Sequence, residues 1–144
     1  MSDKIFYDTN ILVYAYDETE KEKRQIAEKL VEMVFSGEKR GALSNQILSE
    51  LFSVLTTKIG KPLDKEVAAK IIRKYVLSDN WEKLDYTNST VLKAALTASY
   101  YNNHFWDTLV AETMKENEIT RILTENEKDF RNIPGIKSIN PFKH

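Results

Sequence analysis

Near its N-terminus the chain reads Ile5-Phe6-Tyr7-Asp8-Thr9-Asn10-Ile11-Leu12-Val13-Tyr14, and this stretch sets the expectation for the fold. The apolar run Ile5-Phe6-Tyr7 is rich in β-branched and aromatic residues, which predicts a short buried strand ending at Asp8. Thr9 or Asn10 suits the N-cap of a following short helix, because such side chains accept hydrogen bonds from free backbone N–H groups. A strand followed directly by a helix is typical of α/β proteins.

The same alternation of strand and helix continues along the chain. Apolar residues at helical spacing predict further helices over about Lys21 to Phe35, Ser44 to Lys58, Asp64 to Val76, Asn88 to Tyr100 and Phe105 to Asn117. Short apolar runs predict further strands at Ala42-Leu43, Ile122-Leu123-Thr124 and Ile136 to Ile139. We therefore expect an α/β fold, a three-layer α/β/α sandwich around a short and mainly parallel central sheet. A length of 144 residues also predicts a single domain over residues 1–144.

Composition narrows the chemistry that the chain can perform. With no Cys, it has no disulfide, no thiol nucleophile and no cysteine zinc site. The only imidazoles are those of His104 and His144, so a histidine-rich zinc centre is also excluded. Any bound metal would be held mainly by oxygen atoms.

Charge and hydropathy give two further expectations. No apolar run approaches the roughly 20 residues of a membrane helix, and the first residues lack a secretion signal, so we expect a cytoplasmic protein without a membrane partner. The net charge of −1 provides no overall basic field for nucleic acid. Any RNA-binding surface must therefore collect its positive charge locally.

Three carboxylates are placed where chemistry is possible. Asp8 follows the first predicted strand, and in parallel sheets binding sites lie outside the carboxyl ends of the strands. Glu50 lies beside the apolar stripe of its predicted helix, where it either extends towards water or faces a site. Asp107 comes at the start of another predicted helix and is either a stabilising first-turn acid or a ligand. Glu125 and Asn126 end a later predicted strand.

Together these acids suggest a metal-dependent hydrolase. Carboxylates gathered without basic partners repel each other unless a cation neutralises them. Oxygen ligands suit Mg²⁺ or Mn²⁺, and such ions make water a nucleophile for attack on phosphorus. This chemistry accounts for a nuclease without a Ser, Cys or His nucleophile, although spacing along the sequence gives no distances between the acids.

Four blocks of this sequence resemble, in the same order, those of PIN-domain proteins, particularly the VapC-like toxin ribonucleases. The blocks are Asp8-Thr9-Asn10-Ile11-Leu12-Val13-Tyr14-Ala15-Tyr16-Asp17, Ser44-Asn45-Gln46-Ile47-Leu48-Ser49-Glu50-Leu51, Phe105-Trp106-Asp107-Thr108-Leu109-Val110-Ala111, and Leu123-Thr124-Glu125-Asn126 through Asn140-Pro141-Phe142. The resemblance therefore extends over nearly the whole chain.

The resemblance implies a PIN-like α/β/α domain with an acidic pocket that binds Mg²⁺ or Mn²⁺ and cleaves RNA. It implies Asp8 and Asp107 as the main metal ligands, and Glu50 as a further pocket acid that binds metal directly or through water. It also implies that Asn10 hydrogen-bonds Asp8 or a metal-bound water and that Thr9 helps to set the turn. Members commonly form homodimers, and the toxins are silenced by a small antitoxin protein.

One position departs from the family pattern. Close relatives usually have Asp where this chain has Asn126, whose amide oxygen brings no charge. Glu125 and Asp129 are candidate replacements, and we expect weaker occupancy of a second metal site. The departure also keeps open a catalytically weak or inert PIN-like scaffold that binds RNA or protein without cutting it.

The residues after the first predicted strand argue against two rival enzyme classes. Haloacid-dehalogenase-type phosphatases need a second Asp where this chain has Asn10, and receiver domains need adjacent acids after the first strand, which this chain lacks.

Two sets of surface residues bear on substrate binding. Several Lys and Arg residues are candidates for phosphate contacts, but a solvated surface is the favoured explanation for each of them. The aromatic side chains of Tyr100, Tyr101, Phe105 and Trp106 either stack on unpaired bases or pack in a core or dimer interface.

Overall fold

The computed structural model describes residues 3–143, which form five strands and seven helices. The strands are β1 (Ile5–Tyr7), β2 (Gly41–Ser44), β3 (Trp81–Leu84), β4 (Arg121–Leu123) and β5 (Lys137–Ile139). The helices are α1 (Thr9–Tyr14), α2 (Lys21–Phe35), α3 (Asn45–Thr57), α4 (Lys65–Leu77), α5 (Asn88–Tyr101), α6 (Phe105–Glu116) and α7 (Glu127–Phe130).

The strands form one parallel sheet in the order β3-β2-β1-β4-β5. In the centre, Phe6 of β1 is in register with Ala42 of β2 on one side and with Ile122 of β4 on the other. All three side chains are fully buried. The expected α/β/α sandwich with a mainly parallel sheet is confirmed, and every strand pairing among the described residues is parallel.

Two short elements were absent from the sequence prediction. The edge strand β3 has the sequence Trp81-Glu82-Lys83-Leu84, and its charged central pair hides it from a search for apolar runs. The helix α7 has four residues, which is about one turn and too short to show helical periodicity. The predicted cap of α1 was also wrong by one or two residues, because Asp8, and neither Thr9 nor Asn10, occupies the N-cap position.

Strand order determines where a site can form. From β1 the chain builds the sheet outwards through β2 and β3, then returns to the other side of β1 with β4 and β5. The topological switch point therefore lies between β1 and β4, and crevices at such points are the usual binding sites of open α/β sheets. Asp8 follows β1 at this point, and its backbone N–H donates to the Leu123 carbonyl at the end of β4, at 3.0 Å.

Aromatic packing anchors the other half of the sheet. The indole ring of Trp81 in β3 contacts the rings of Tyr7, Phe35 and Tyr75, with ring centroids 4.9–5.7 Å apart in edge-on geometry. Trp81 is 1% exposed, so this cluster fixes the edge strand against α2 and α4.

Among residues 3–143 no helix is both long and apolar enough to cross a bilayer.

The end of β2 and the start of α3 meet at Ser44, whose buried hydroxyl accepts a hydrogen bond from the Ile47 backbone N–H at 3.3 Å. We expect Ser44→Ala to lower the free energy of unfolding by about 1 kcal/mol, because an N–H of the first turn loses its acceptor. Urea denaturation measures this loss. Ser49→Ala is the matched control, since Ser49 lies exposed within the same helix and should be replaceable without loss. Equal losses in the two variants would contradict a capping role.

Candidate active site

A cavity of about 530 Å³ opens at the carboxyl ends of the strands. Its lining brings together three sequence-predicted acids from three different segments, Asp8, Glu50 and Asp107, with Thr9, Asn10 and Asn126 beside them. The lining also includes the acids Asp17 and Glu20, whereas Lys58 is the single basic residue in the described part of the wall. The cavity is therefore strongly negative.

Asp8 is held by donors from both sides of the switch point. Its Oδ1 accepts the Thr9 backbone N–H at 2.8 Å, and its Oδ2 accepts the Thr124 hydroxyl at 2.8 Å and the Asn10 amide at 3.3 Å. Burial raises the pKa of Asp8, the hydrogen bonds from Thr124, Thr9 and Asn10 oppose this rise, and the charge of Glu50 adds to it. The Asp8 carboxylate is thus fixed in orientation, while burial keeps its charged form unfavourable.

Asn10 and Thr124 connect Asp8 to the loop after β4. The Asn10 Nδ2 donates to both Asp8 and Thr124, and its Oδ1 accepts the Glu125 backbone N–H at 3.1 Å. The fully buried Thr124 also accepts the Asn126 backbone N–H at 3.0 Å. The structure thus shows the hydrogen bond expected between Asn10 and Asp8. Thr124 was missed as a site residue, although its place at the end of a strand neighbouring β1 was the available signal.

Glu50 lies on α3 and faces the cavity. Its Oε2 accepts the Thr9 hydroxyl at 3.4 Å, and its Oε1 accepts the side-chain amide of Gln46 at 3.0 Å. The same Gln46 amide is 3.4 Å from the Trp106 carbonyl oxygen at the start of α6. Gln46, which sequence reasoning also missed, lies one helical turn before Glu50 and ties the α3 carboxylate to α6.

Asp107 is the third residue of α6, and its pKa is raised to about 6. Burial is the largest cause, followed by the charges of Asp129, Asp8 and Glu50, whereas His104 lowers the pKa. Within residues 3–143 we find no hydrogen bond to its carboxylate. A first-turn acid that mainly stabilised the helix would have its charged form favoured. The raised pKa shows instead that burial and the neighbouring acids make the charged form of Asp107 unfavourable.

The three candidates for a fourth polar ligand occupy different places. Asn126 is exposed and lines the cavity. Asp129 in α7 is close enough to raise the pKa of Asp107. Glu125 is outside the cavity lining, because its carboxylate binds the Lys23 ammonium at 2.5 Å and the Tyr14 hydroxyl at 2.6 Å. Burial raises the pKa of Glu125, but these two hydrogen bonds outweigh it and leave the pKa lowered.

The donor set fits a hydrated divalent ion better than a closed metal cage. In the part of the chain that the structure describes, no three carboxylate or imidazole side chains are close enough to form a complete metal site. Mg²⁺ retains several waters and binds proteins through one or two carboxylates plus substrate phosphate. Carboxylates around an open cavity, with the pKa of Asp8 and of Asp107 raised partly by neighbouring acids, match that requirement.

The raised pKa of Asp107 makes stability depend on pH. Its carboxyl group is protonated below its ordinary pKa in both folded and unfolded chains, and the fold is penalised as pH rises through about 6. In EDTA we expect Asp107→Asn to raise the free energy of unfolding at pH 7 by about 1 kcal/mol, a figure reduced for partial solvent exposure, and by little at pH 4. Urea denaturation across this pH range measures the difference. The exposed control Asp79→Asn should show no such dependence, and a gain from Asp107→Asn that is equal at both pH values would contradict the electrostatic origin.

Comparison with known proteins agrees with this fold. No curated protein matches the sequence. Among solved structures, a toxin–antitoxin complex from Klebsiella pneumoniae matches at 17% identity with a TM-score of 0.65, covering 97% of this chain and 99% of that chain. VapBC2 from Rickettsia felis, bound to a promoter DNA fragment, matches at 19% identity with a TM-score of 0.66, covering 95% and 98%. The Mycobacterium tuberculosis toxin VapC20, described as cleaving the sarcin–ricin loop, matches at 17% identity with a TM-score of 0.62, covering 82% and 86%. The PIN-domain family model matches residues 5–136, and the chain belongs to this family.

Proposed function

We propose that this protein is a metal-dependent endoribonuclease that hydrolyses RNA phosphodiester bonds with Mg²⁺ or Mn²⁺. The observation that carries the proposal is the convergence of Asp8, Glu50 and Asp107 on one negative cavity at the switch point of a PIN-domain sheet. The cost of gathering these charges favours a site that a cation completes.

In this proposal Asp8 and Asp107 hold the ion, and Glu50 binds it directly or through water. When bound, the ion supplies Lewis-acid activation of the phosphate and of the attacking water. Thr124 and Asn10 keep the Asp8 oxygens in one orientation through their hydrogen bonds. This support matters because partners that orient a ligating carboxylate typically change metal affinity or activity by about 10–100-fold when removed.

Substrate binding in a negative cavity needs positive charge at its margin. Lys58 follows α3 and is exposed in the cavity lining, where its ammonium group is suited to a backbone phosphate of RNA. A lone contact of this kind positions the strand without reading its sequence. The identity of the target RNA would then depend on other surfaces.

We also propose that the protein is the toxin of a toxin–antitoxin pair, acting in the cytoplasm as a homodimer that a small antitoxin protein silences. Structural neighbours that are toxin–antitoxin complexes support this assignment. The helix α5 carries Leu92, Leu96 and Tyr100 at four-residue spacing, and these side chains are 60%, 62% and 81% exposed. An exposed apolar stripe of this kind supports the dimer, because large apolar patches usually mark interaction surfaces.

Asn126 supports a second candidate function, an inert PIN-like scaffold that binds RNA or protein without cleavage. This residue lines the cavity where relatives usually have an acid, so the site has less charge for a second ion. The geometry of Asp8, Glu50 and Asp107 favours the nuclease, since a scaffold has no need to gather three acids at a cost in stability.

Cleavage of a mixed RNA panel with Mg²⁺ or Mn²⁺ distinguishes the two functions. We expect EDTA, Asp8→Asn and Asp107→Asn each to reduce the rate at least about 100-fold, because each removes the ion or one of its main ligands. The exposed acid Glu66 lies on α4, and Glu66→Gln is the matched charge-removal control that should leave the rate unchanged. Activity that survives both Asp variants would eliminate the site, whereas RNA binding without cleavage by the native chain would favour the scaffold.

Replacing Asn126, which departs from the family pattern, tests how many metal ions the site binds. We expect Asn126→Asp to bind Mn²⁺ about tenfold more tightly at the second metal site, because a carboxylate adds a full negative charge beside the ion. Isothermal titration calorimetry of the native chain and the variant measures affinity and stoichiometry. Asn126→Ala serves as a control that removes the amide oxygen without adding charge. Equal affinities and stoichiometries for native and Asn126→Asp would show that Asn126 does not limit occupancy.

A further inference from the structure

The cavity that Asp8, Glu50 and Asp107 line is the acid cavity. A second cavity, of about 460 Å³, adjoins it and shares Glu50 with it. Its remaining lining residues are Gln46, Ser49, Tyr86 and Trp106. Two of these have aromatic rings, and the other two have amide and hydroxyl groups. A single carboxylate thus separates a strongly negative cavity from an aromatic one.

The exposed indole ring of Trp106 has no evident role in folding. Trp106 is 63% exposed, whereas Trp81, the other tryptophan of the chain, is 1% exposed in the aromatic cluster of the sheet. The backbone at Trp106 is fixed, because it belongs to the first turn of α6 and its carbonyl oxygen accepts the Gln46 amide. Its ring also packs edge-on against Phe105, with the centroids 5.3 Å apart. A well-positioned but exposed aromatic ring beside a candidate active site is suited to binding a flat ligand.

We propose that this aromatic cavity is a base-binding subsite that stacks an unpaired nucleobase of the RNA next to the phosphate in the acid cavity. The inference rests on the proposed ribonuclease function and adds a base-binding site beside the proposed phosphate site. Trp106 and Tyr86 provide stacking surfaces, and stacking tolerates any base because every base has a π-face. Gln46 and Ser49 provide polar groups for a base edge. Paired bases are excluded, since a base must leave the duplex stack to reach the cavity.

Continuity between the cavities favours a base over a protein side chain as the occupant. In a nucleic acid each base is tethered to a phosphate, so a base site should lie beside a phosphate site. Glu50 lines both cavities, and Trp106 directly precedes Asp107 in the sequence. The helices α3 and α6, which carry Glu50 and Asp107, therefore also carry most of the wall of the aromatic cavity.

Binding of a labelled single-stranded ten-nucleotide oligouridine, compared with a fully abasic phosphoribose chain of equal length, tests the subsite. Fluorescence anisotropy at low ionic strength in EDTA measures both affinities without requiring cleavage. We expect the native chain to bind the base-bearing strand about tenfold more tightly than the abasic strand, a factor within the range of base–aromatic stacking. Trp106→Ala should abolish this preference, and Trp106→Phe should retain most of it. Leu77→Ala, which removes a 63% exposed apolar side chain of α4 outside the cavity, should leave it unchanged.

Cleavage kinetics provide a second readout. With Mg²⁺, Trp106→Ala should raise KM for the oligouridine about tenfold and change kcat by less than about threefold, because the ring binds the substrate without contacting the reacting phosphate. A purely structural role of Trp106 would instead lower the thermal midpoint and reduce the affinities for both strands equally.

The outcomes separate the subsite from the nuclease. If the native chain shows no preference for bases, or Trp106→Ala keeps it, the subsite is overturned even if RNA is cut. If Trp106→Ala changes only the mass seen by light scattering, the ring is a protein contact and the subsite is likewise overturned. If the native chain prefers bases through Trp106 but cuts no RNA with either metal, the subsite stands and the nuclease proposal fails.

Discussion

The central strand β1 constrains the rest of the molecule. It pairs in parallel with β2 on one side and β4 on the other, so the carboxyl ends of the three strands meet at one edge of the sheet. Asp8, the residue after β1, consequently lies between the start of α3 and the loop that follows β4. A one-residue shift of β1 would move the buried side chains of Phe6 and Tyr7 to opposite faces of the sheet, so core packing also fixes the position of Asp8.

Hydrogen bonds to Asp8 offset part of the electrostatic cost of the site. Three donors converge on its carboxylate, whereas we find no hydrogen bond to Asp107 within residues 3–143. The two carboxylates therefore differ in role even before any ligand is bound. Asp8 is preoriented by the protein, whereas the raised pKa of Asp107 has no hydrogen bond to oppose it within the same residues. Such a difference between the two carboxylates is consistent with a binding site whose charges lower the stability of the fold.

The sequence predicted the sheet and the acids because both depend on local patterns. Apolar runs reveal β1 and β4, and helical periodicity reveals α2 and α3, so Asp8 at the end of β1 follows directly. Glu50 and Asp107 lie on helices, and the resemblance to PIN-domain proteins implied them as further site residues. The edge strand β3 escaped prediction because an edge strand needs few apolar residues. Its central Glu82-Lys83 pair breaks the apolar run on which the search depended.

The positions of the acidic side chains after β4 relative to the acid cavity could not be predicted from the sequence, because they depend on long-range partners. Glu125 and Asp129 looked equivalent as replacements for a missing acid. Lys23, which is 102 positions away, binds Glu125 outside the acid cavity, and α7 brings Asp129 near Asp107. Thr124 and Gln46 were missed for the same reason. Each acts on a carboxylate through a hydrogen bond that only the assembled fold creates.

Neighbouring residues on two helices join the acid cavity to the aromatic cavity. On α3, Gln46 and Glu50 lie one turn apart and are joined by a hydrogen bond. On α6, Trp106 and Asp107 are adjacent and therefore point about 100° apart, so one can border each cavity. The hydrogen bond from Gln46 to the Trp106 carbonyl oxygen links the two helices at this point. A base held against Trp106 would thus have a fixed relation to the acids, and positioning of this kind, more than contact area, is what an enzyme needs for in-line attack.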